Sequence, residues 1–211
     1  MKTLLELFSG SGNMSAAFRA KGWHTITLDN DPRCTPDITM DILRFDPTEH
    51  LPSGTKVDAI WASPCCQWYS TARNWKPATP EELEYADSLV RKVLQIASEL
   101  KCELIFVENP SGGKLKDRGI LDDLQVQEVH YCKYGMDFMR PTNIWTTSDW
   151  TPKQTLCHHD CPATIVSPNP RYKRHRVMLG KKNKGSRLKI AQIPPLLCAE
   201  IADFCDGEVL G

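Results

Sequence analysis

"TLLELFSGSGNMSAAFRAKG" (residues 3–22) sets the pattern from which the fold is read. A short apolar run from Thr3 to Phe8 stops at Ser9 and Gly10, and a segment of helical character follows until Gly22. A strand that enters a helix through Gly-x-Gly is the opening of an α/β unit. Its glycines permit a tight turn and a close approach of backbone to ligand. The third glycine of a dinucleotide fingerprint is absent, because Ser15 stands where it would fall. That favours a nucleoside ligand without a pyrophosphate and disfavours a plain Rossmann oxidoreductase. A Gly-rich turn with no ligand is the bland alternative.

Outward from this stretch, "HTITLD" (24–29) is β-branched and ends on an acid, while "VDAIWAS" (57–63) and "ELIFVEN" (103–109) read as buried strands. Between the last two lies a helix with its own start signal. Thr79 caps it, Pro80 suits the first turn and Glu82 completes a capping box. Leu83, Ala86, Val90, Val93, Ala97 and Leu100 then recur at helical spacing. Strands alternating with helices predict an α/β fold, a mostly parallel sheet with helices on both faces. Ligands of such sheets sit at the carboxyl ends of the strands. The residues to interrogate are therefore "FSGSG", Asp29, "SPCCQ" and "ENP".

At 211 residues the chain fits one domain with a real core, and 41% apolar with 25% charged residues suits a soluble globular protein. No apolar run has the length of a membrane span, and the opening stretch is too short for a signal-peptide core. Nine cysteines, without a secretion signal, are read as reduced thiols in a cytosol. The zero net charge hides an asymmetry: Arg171 to Lys189 holds nine Lys and Arg and no acid. Such a run is either solvated surface or a contact for a phosphate backbone, with Arg171, Lys173, Arg174, Arg176 and Lys181 as its candidate contacts.

Asp29 is placed to accept hydrogen bonds from ribose hydroxyls. Glu108, after four apolar residues, is either an exposed strand-terminal acid or a carboxyl able to hold a proton against a heterocyclic nitrogen. Cys65 and Cys66 are adjacent at the same edge, and buried cysteines are usually inert.

Taken in order, these motifs resemble those of the 5-methylcytosine DNA methyltransferases. "LELFSGSGNMSAAFRAKGW" is similar to that family's S-adenosylmethionine loop, with Glu6 in place of the usual Asp. "LDNDP" (28–32) resembles the acidic turn at the ribose, "MDI" (40–42) the segment facing the adenine, "SPCCQWYS" (63–70) the Pro-Pro-Cys-Gln-x-Phe-Ser loop and "ENP" (108–110) the Glu-Asn-Val motif. "QIPPLLCAEIA" (192–202) is similar to the helix that closes the cofactor site. The resemblance implies a Rossmann-like S-adenosylmethionine-dependent methyltransferase fold. It places the cofactor against Phe8, Ser9, Gly10, Gly12, Asp29, Asp41, Ile42 and Pro64.

It also implies a reaction. A thiolate adds to carbon 6 of a cytosine flipped out of double-stranded DNA, with Glu108 supporting the addition at N3, and the methyl group goes to carbon 5. Counting from Asp58 and back from Ser70 both place the nucleophile on Cys66, with Cys65 in the second proline's position. In "YGMDFMRPTNIWT" (134–146), counting from Tyr134-Gly135 puts Arg140 on the first arginine of the family's Gln-x-Arg-x-Arg strand and Thr142 on the second. Counting back from "IWT" puts Pro141 and Asn143 there. Arg140 is the available cation, and the catalytic set is Cys66, Glu108 and Arg140.

The chain divides into a catalytic core (1–148), a short basic insert (149–189) and the closing helix (190–211). So short an insert leaves little room for reading several base pairs, which predicts low or short sequence specificity. Cys157 and Cys161 with His158, His159 or His175 have spacing compatible with zinc, but no second Cys pair follows, and no metal is expected. The expected partner is DNA rather than a membrane, for a monomer in the cytoplasm of a bacterial or phage-infected cell. Two other functions fit the same motifs: a transfer-RNA cytosine-5 methyltransferase, and a catalytically silent module that binds S-adenosylmethionine or DNA.

Overall fold

The opening apolar run forms strand β1 (Thr3–Leu7), and its side chains alternate between two cores. Leu5 and Leu7 enter one apolar cluster and Leu4 the other. A strand buried on both faces lies at the centre of a sheet. The structure is a computed structural model that describes residues 1–71, 76–166, 173–176 and 192–208.

Around β1 lie β2 (His24–Asp29), β3 (Ile38–Thr39), β4 (Ala59–Ala62), β5 (Ile105–Pro110), β6 (Gln125–His130) and β7 (Pro141–Thr146). The seven strands run in the order β3-β2-β1-β4-β5-β7-β6, and β7 alone is antiparallel to its neighbours. Helix α1 (Asn13–Ala20) and the C-terminal helix, Pro195–Glu208, share one face through Met14, Phe18, Leu197 and Ile201. The long helix Pro80–Glu99 covers the other face with Ala86, Val90, Val93 and Ala97. In chain order these helices are α1, α3 and α4, with the short α2 (Pro47–His50) between the first two.

The capping box of α3 is formed as expected. Thr79 Oγ1 accepts from the Glu82 N–H at 3.2 Å, and Glu82 accepts from the Thr79 N–H at 3.0 Å. Such a cap stabilises a helix start by about 1 kcal/mol.

After Trp150 the described residues contain no further strand–helix unit of the main sheet. They hold a small antiparallel pair, β8 (Thr164–Val166) and β9 (Lys173–His175), in a sheet of its own. No helix among the described residues is long and apolar enough to cross a membrane.

Candidate active site

The loop after β1 is shaped by backbone that few side chains adopt. Phe8, Gly10 and Gly12 have φ of 59°, 48° and 67°. For the glycines this costs little, whereas at Phe8 it stores on the order of 1–3 kcal/mol. Hydrogen bonds hold the loop in place. The Ser9 N–H donates to the Leu28 carbonyl at 3.1 Å and the Gly12 N–H to the Ser9 carbonyl at 2.8 Å. The Gly10 N–H donates to Asp29 Oδ2 and the Asp31 N–H to Asp29 Oδ1, both at 2.9 Å. Asp29 therefore fixes two loops at the carboxyl edge and keeps further lone pairs for a ligand hydroxyl.

Beneath this loop Glu6 is buried. Its Oε2 accepts from the Ser15 N–H at 2.9 Å and from the Ser15 hydroxyl. Ser15 is the third residue of α1, so the carboxyl satisfies one of the helix's unpaired N–H groups. Burial pushes the Glu6 pKa up to about 7, the Ser15 hydrogen bonds oppose this, and the nearby Asp29 adds to it. The residue in place of the third glycine is thus a structural partner of Glu6.

A cavity of 170 Å³ opens beside the loop. That is below the roughly 300 Å³ of pockets enclosing whole drug-sized ligands, so it suits one ring system. Phe8, Asp41 and Ile42 line it, and Asn30, Trp68 and Tyr85 complete its wall. Trp68 and Tyr85 meet edge to face at 5.4 Å. Asp41 also caps the turn Ile42–Arg44, its Oδ1 accepting from the Leu43 N–H at 3.0 Å. Apolar walls with an acid beside them, and a second acid at the neighbouring strand end, suit the heterocyclic ring of a nucleoside.

Cys65 and Cys66 part company here. Cys65 is exposed and lines this cavity. Cys66 is half-buried and comes under the charges of Arg140 and Glu108. Burial pushes the Cys66 thiol above its ordinary range, Arg140 pulls it down and Glu108 pushes it up. The desolvation outweighs the pull of Arg140. Pro64, expected beside the cofactor, is buried, and its carbonyl accepts from Asn109 Nδ2 at 2.9 Å. The far end of the loop is held through Tyr69, whose hydroxyl donates to the buried Asp87 at 2.8 Å. Arg118 forks onto the same carboxylate at 2.5 and 3.0 Å.

Glu108 is buried within β5, two residues before its end, which excludes the exposed-acid reading. The Tyr131 hydroxyl donates to its Oε1 at 2.9 Å, and Arg140 Nη2 lies 3.5 Å from that oxygen. The Arg140 guanidinium also sits 5.2 Å over the Tyr131 ring. This pairing agrees with the count that starts at Tyr134-Gly135. On that count Thr142 takes the second arginine's place, and it is buried with its hydroxyl donating to the Arg140 carbonyl at 3.3 Å. Tyr131 was missed in the sequence, where an aromatic just past a strand end carries no distinctive signal.

Of the basic candidates, Lys173 and Arg174 are exposed on β9. Arg176 is exposed but paired with Asp137 at 3.1 Å. Arg171 and Lys181 lie outside the described residues.

No protein-family profile matches the chain. A Frog virus 3 (isolate Goorha) protein described as "Probable DNA (cytosine-5)-methyltransferase" is 28% identical, over 96% of this chain and 99% of its own length. Among solved structures, a protein described as a DNA modification methyltransferase encoded within an Escherichia coli prophage matches with a TM-score of 0.54 and 17% identity, over 69% of this chain and 46% of its own. A methyltransferase of Entamoeba histolytica matches with a TM-score of 0.54 and 13% identity, over 74% and 56%. The fold is thus the Rossmann-like methyltransferase fold, and the chain spans about half the length of these solved chains.

Proposed function

We infer that this chain is a member of the DNA cytosine-5 methyltransferase family, and that it transfers a methyl group from S-adenosylmethionine to carbon 5 of cytosine in DNA. The relative of matching length and the methyltransferase fold support the family. The observation that carries the reaction is the grouping of Glu108, Arg140 and Tyr131 with Cys66, whose neighbour Cys65 lines the ring-sized cavity.

S-Adenosylmethionine, when bound, supplies an electrophilic methyl group. The Phe8–Gly12 loop, Asp29 and Asp41 hold its nucleoside part. Cytosine is too weak a carbon nucleophile on its own, so Cys66 gives up its thiol proton to solvent and its sulfur bonds to carbon 6. Electron density then moves to carbon 5, which would take the methyl group as the methyl–sulfur bond of the sulfonium breaks and a neutral thioether leaves. Loss of the carbon 5 proton to a base breaks the carbon–sulfur bond and regenerates the cysteine.

Glu108 acts at N3 and the exocyclic amine, its Oε1 fixed by Tyr131 and Arg140 so that the other oxygen faces the base. Because burial raises the Cys66 thiol above its ordinary range, addition depends on the cationic surroundings completed by substrate and cofactor. Chemistry on a paired base requires that the nucleotide leave the duplex. Recognition falls to the small β8–β9 hairpin and its basic neighbours, which suits a short sequence context.

The test is transfer of labelled methyl groups to duplex DNA, with transfer RNA and heat-treated protein in parallel. Label at carbon 5 of cytosine in DNA supports the reading. Label confined to transfer RNA moves the activity to RNA, and no label with either supports a silent binding module.

A further inference from the structure

Cys132, Cys157, Cys161 and His175 are all buried, and one ligand atom from each lies within 4.8 Å of every other. They come from three places in the chain. Cys132 is in the turn after β6, Cys157 and Cys161 are in the "CHHDC" loop, and His175 ends β9. We propose that these four side chains form a structural zinc site that ties the β8–β9 hairpin to the catalytic core. This proposal does not depend on the methyltransferase reading.

The donor set and the geometry both suit zinc. Three thiolates and one imidazole make a closed tetrahedral site, with zinc–sulfur bonds of about 2.3 Å and zinc–nitrogen bonds of about 2.0 Å. Such a tetrahedron has edges of about 3.5–3.8 Å by the same bond lengths. Cys157 Sγ lies 3.4 Å from His175 Nε2, and the remaining separations stay within 4.8 Å. Against those edges, separations within 4.8 Å leave about 1 Å or less to close on any side when an ion binds. Binding converts the three thiols to thiolates, with their protons released to solvent, and His175 ligates as neutral imidazole through Nε2.

The surroundings hold the ligands in place. The Cys157 N–H donates to His130 Nδ1 at 3.0 Å, so His130 carries its proton on Nε2, 3.2 Å from Glu128. Lys133, next to Cys132, pairs with Asp160, next to Cys161, at 2.7 Å. That contact draws the two segments together and supplies a cation beside a site whose net charge would be −1.

Among the described residues, the apolar cluster at this end of the molecule consists of the three cysteines and Ala163, with Met139 against it. Small units with little buried surface are commonly held by a metal or a disulfide. All nine cysteines are free thiols. Cys132 directly follows Tyr131, so the ion would also anchor the turn that delivers the Tyr131 hydroxyl to Glu108.

Full-length protein, purified without chelator, dialysed and reconstituted with zinc, should contain one zinc per chain by elemental analysis. Cobalt in its place should show thiolate charge-transfer bands and the intense d–d bands of a tetrahedral site. Cys157→Ser and Cys161→Ser should each weaken zinc binding at least tenfold, while Cys34→Ser binds normally. His175→Cys, which keeps four ligands, should retain zinc with a cobalt spectrum shifted toward four sulfurs. That variant reports ligation even if the serine variants fold poorly. Stoichiometry near zero after reconstitution, an unshifted cobalt spectrum in His175→Cys, or a disulfide among these cysteines in the fresh protein would overturn the proposal.

Discussion

The Tyr131 hydroxyl donates to Oε1 of Glu108 at 2.9 Å, with Arg140 3.5 Å from the same oxygen. Hydrogen bonds to charged groups contribute about 1.5–3 kcal/mol. Tyr131→Phe keeps the ring beneath Arg140 but frees the carboxyl to turn. We expect kcat to fall roughly ten- to a hundredfold, equivalent to about 1.4–2.7 kcal/mol in the barrier. The KM for S-adenosylmethionine should stay near its original value, because Tyr131 acts through Glu108 and away from the cofactor. Steady-state kinetics decide this; an unchanged kcat removes Tyr131 from the site.

Asp29 accepts one backbone N–H on each oxygen, from Gly10 and Asp31. Asp29→Ala should weaken S-adenosylmethionine binding at least tenfold, about 1.4 kcal/mol. Asp29→Asn, which retains one acceptor, should fall between the two. If calorimetry finds the alanine variant binding as tightly as the parent, Asp29 does not hold the cofactor.

Glu6 makes folding pH-dependent in an uncommon direction. Its carboxyl titrates near 4.5 when unfolded and is raised to about 7 when folded. Across that window the unfolded chain ionises while the folded chain keeps the proton, so stability falls as pH rises and levels off above the upper value. The loss is roughly 3 kcal/mol at most. Glu6→Gln keeps an acceptor for Ser15 without the charge. Urea unfolding from pH 4.5 to 8 should show this decline in the parent and not in the variant. Parallel pH profiles would contradict it.

Lys173 and Arg174 are exposed on β9, whereas Arg176 is engaged with Asp137. Lys173→Gln and Arg174→Gln should weaken binding to duplex DNA across sequences. Each lost phosphate contact should flatten the salt dependence by about 0.9. Arg176→Gln should change it less. A salt slope untouched by the first two substitutions would make this strand solvated surface.

The parts of the molecule legible in its sequence are those set by neighbours in the chain. β1 and β2 follow from apolar and β-branched runs, and α3 from a capping box whose members are three residues apart. The carboxyl-edge rule then placed Asp29, Cys66 and Glu108 together. β3 was not legible, because two residues paired only to the end of β2 carry no periodicity. β6 escaped as well: its Gln125, Val126 and Glu128 are exposed at the sheet edge, so it lacks an apolar run. Tyr131 escaped because its partner is 23 residues away. Cys132 escaped similarly, since ligand-spacing rules look for local pairs, and it meets Cys157 and Cys161 only through the fold.

The two adjacent cysteines test the proposed chemistry most directly. Cys65 lines the cavity, and Cys66 comes under the charges of Arg140 and Glu108. The measurement is covalent trapping on duplex DNA containing 5-fluorocytosine with S-adenosylmethionine, followed by peptide mapping. Fluorine blocks the final elimination, so the adduct should accumulate on Cys66. It should vanish in Cys66→Ser and persist in Cys65→Ser. An adduct mapped to Cys65, or one that survives in Cys66→Ser, would contradict the assignment of Cys66 as nucleophile.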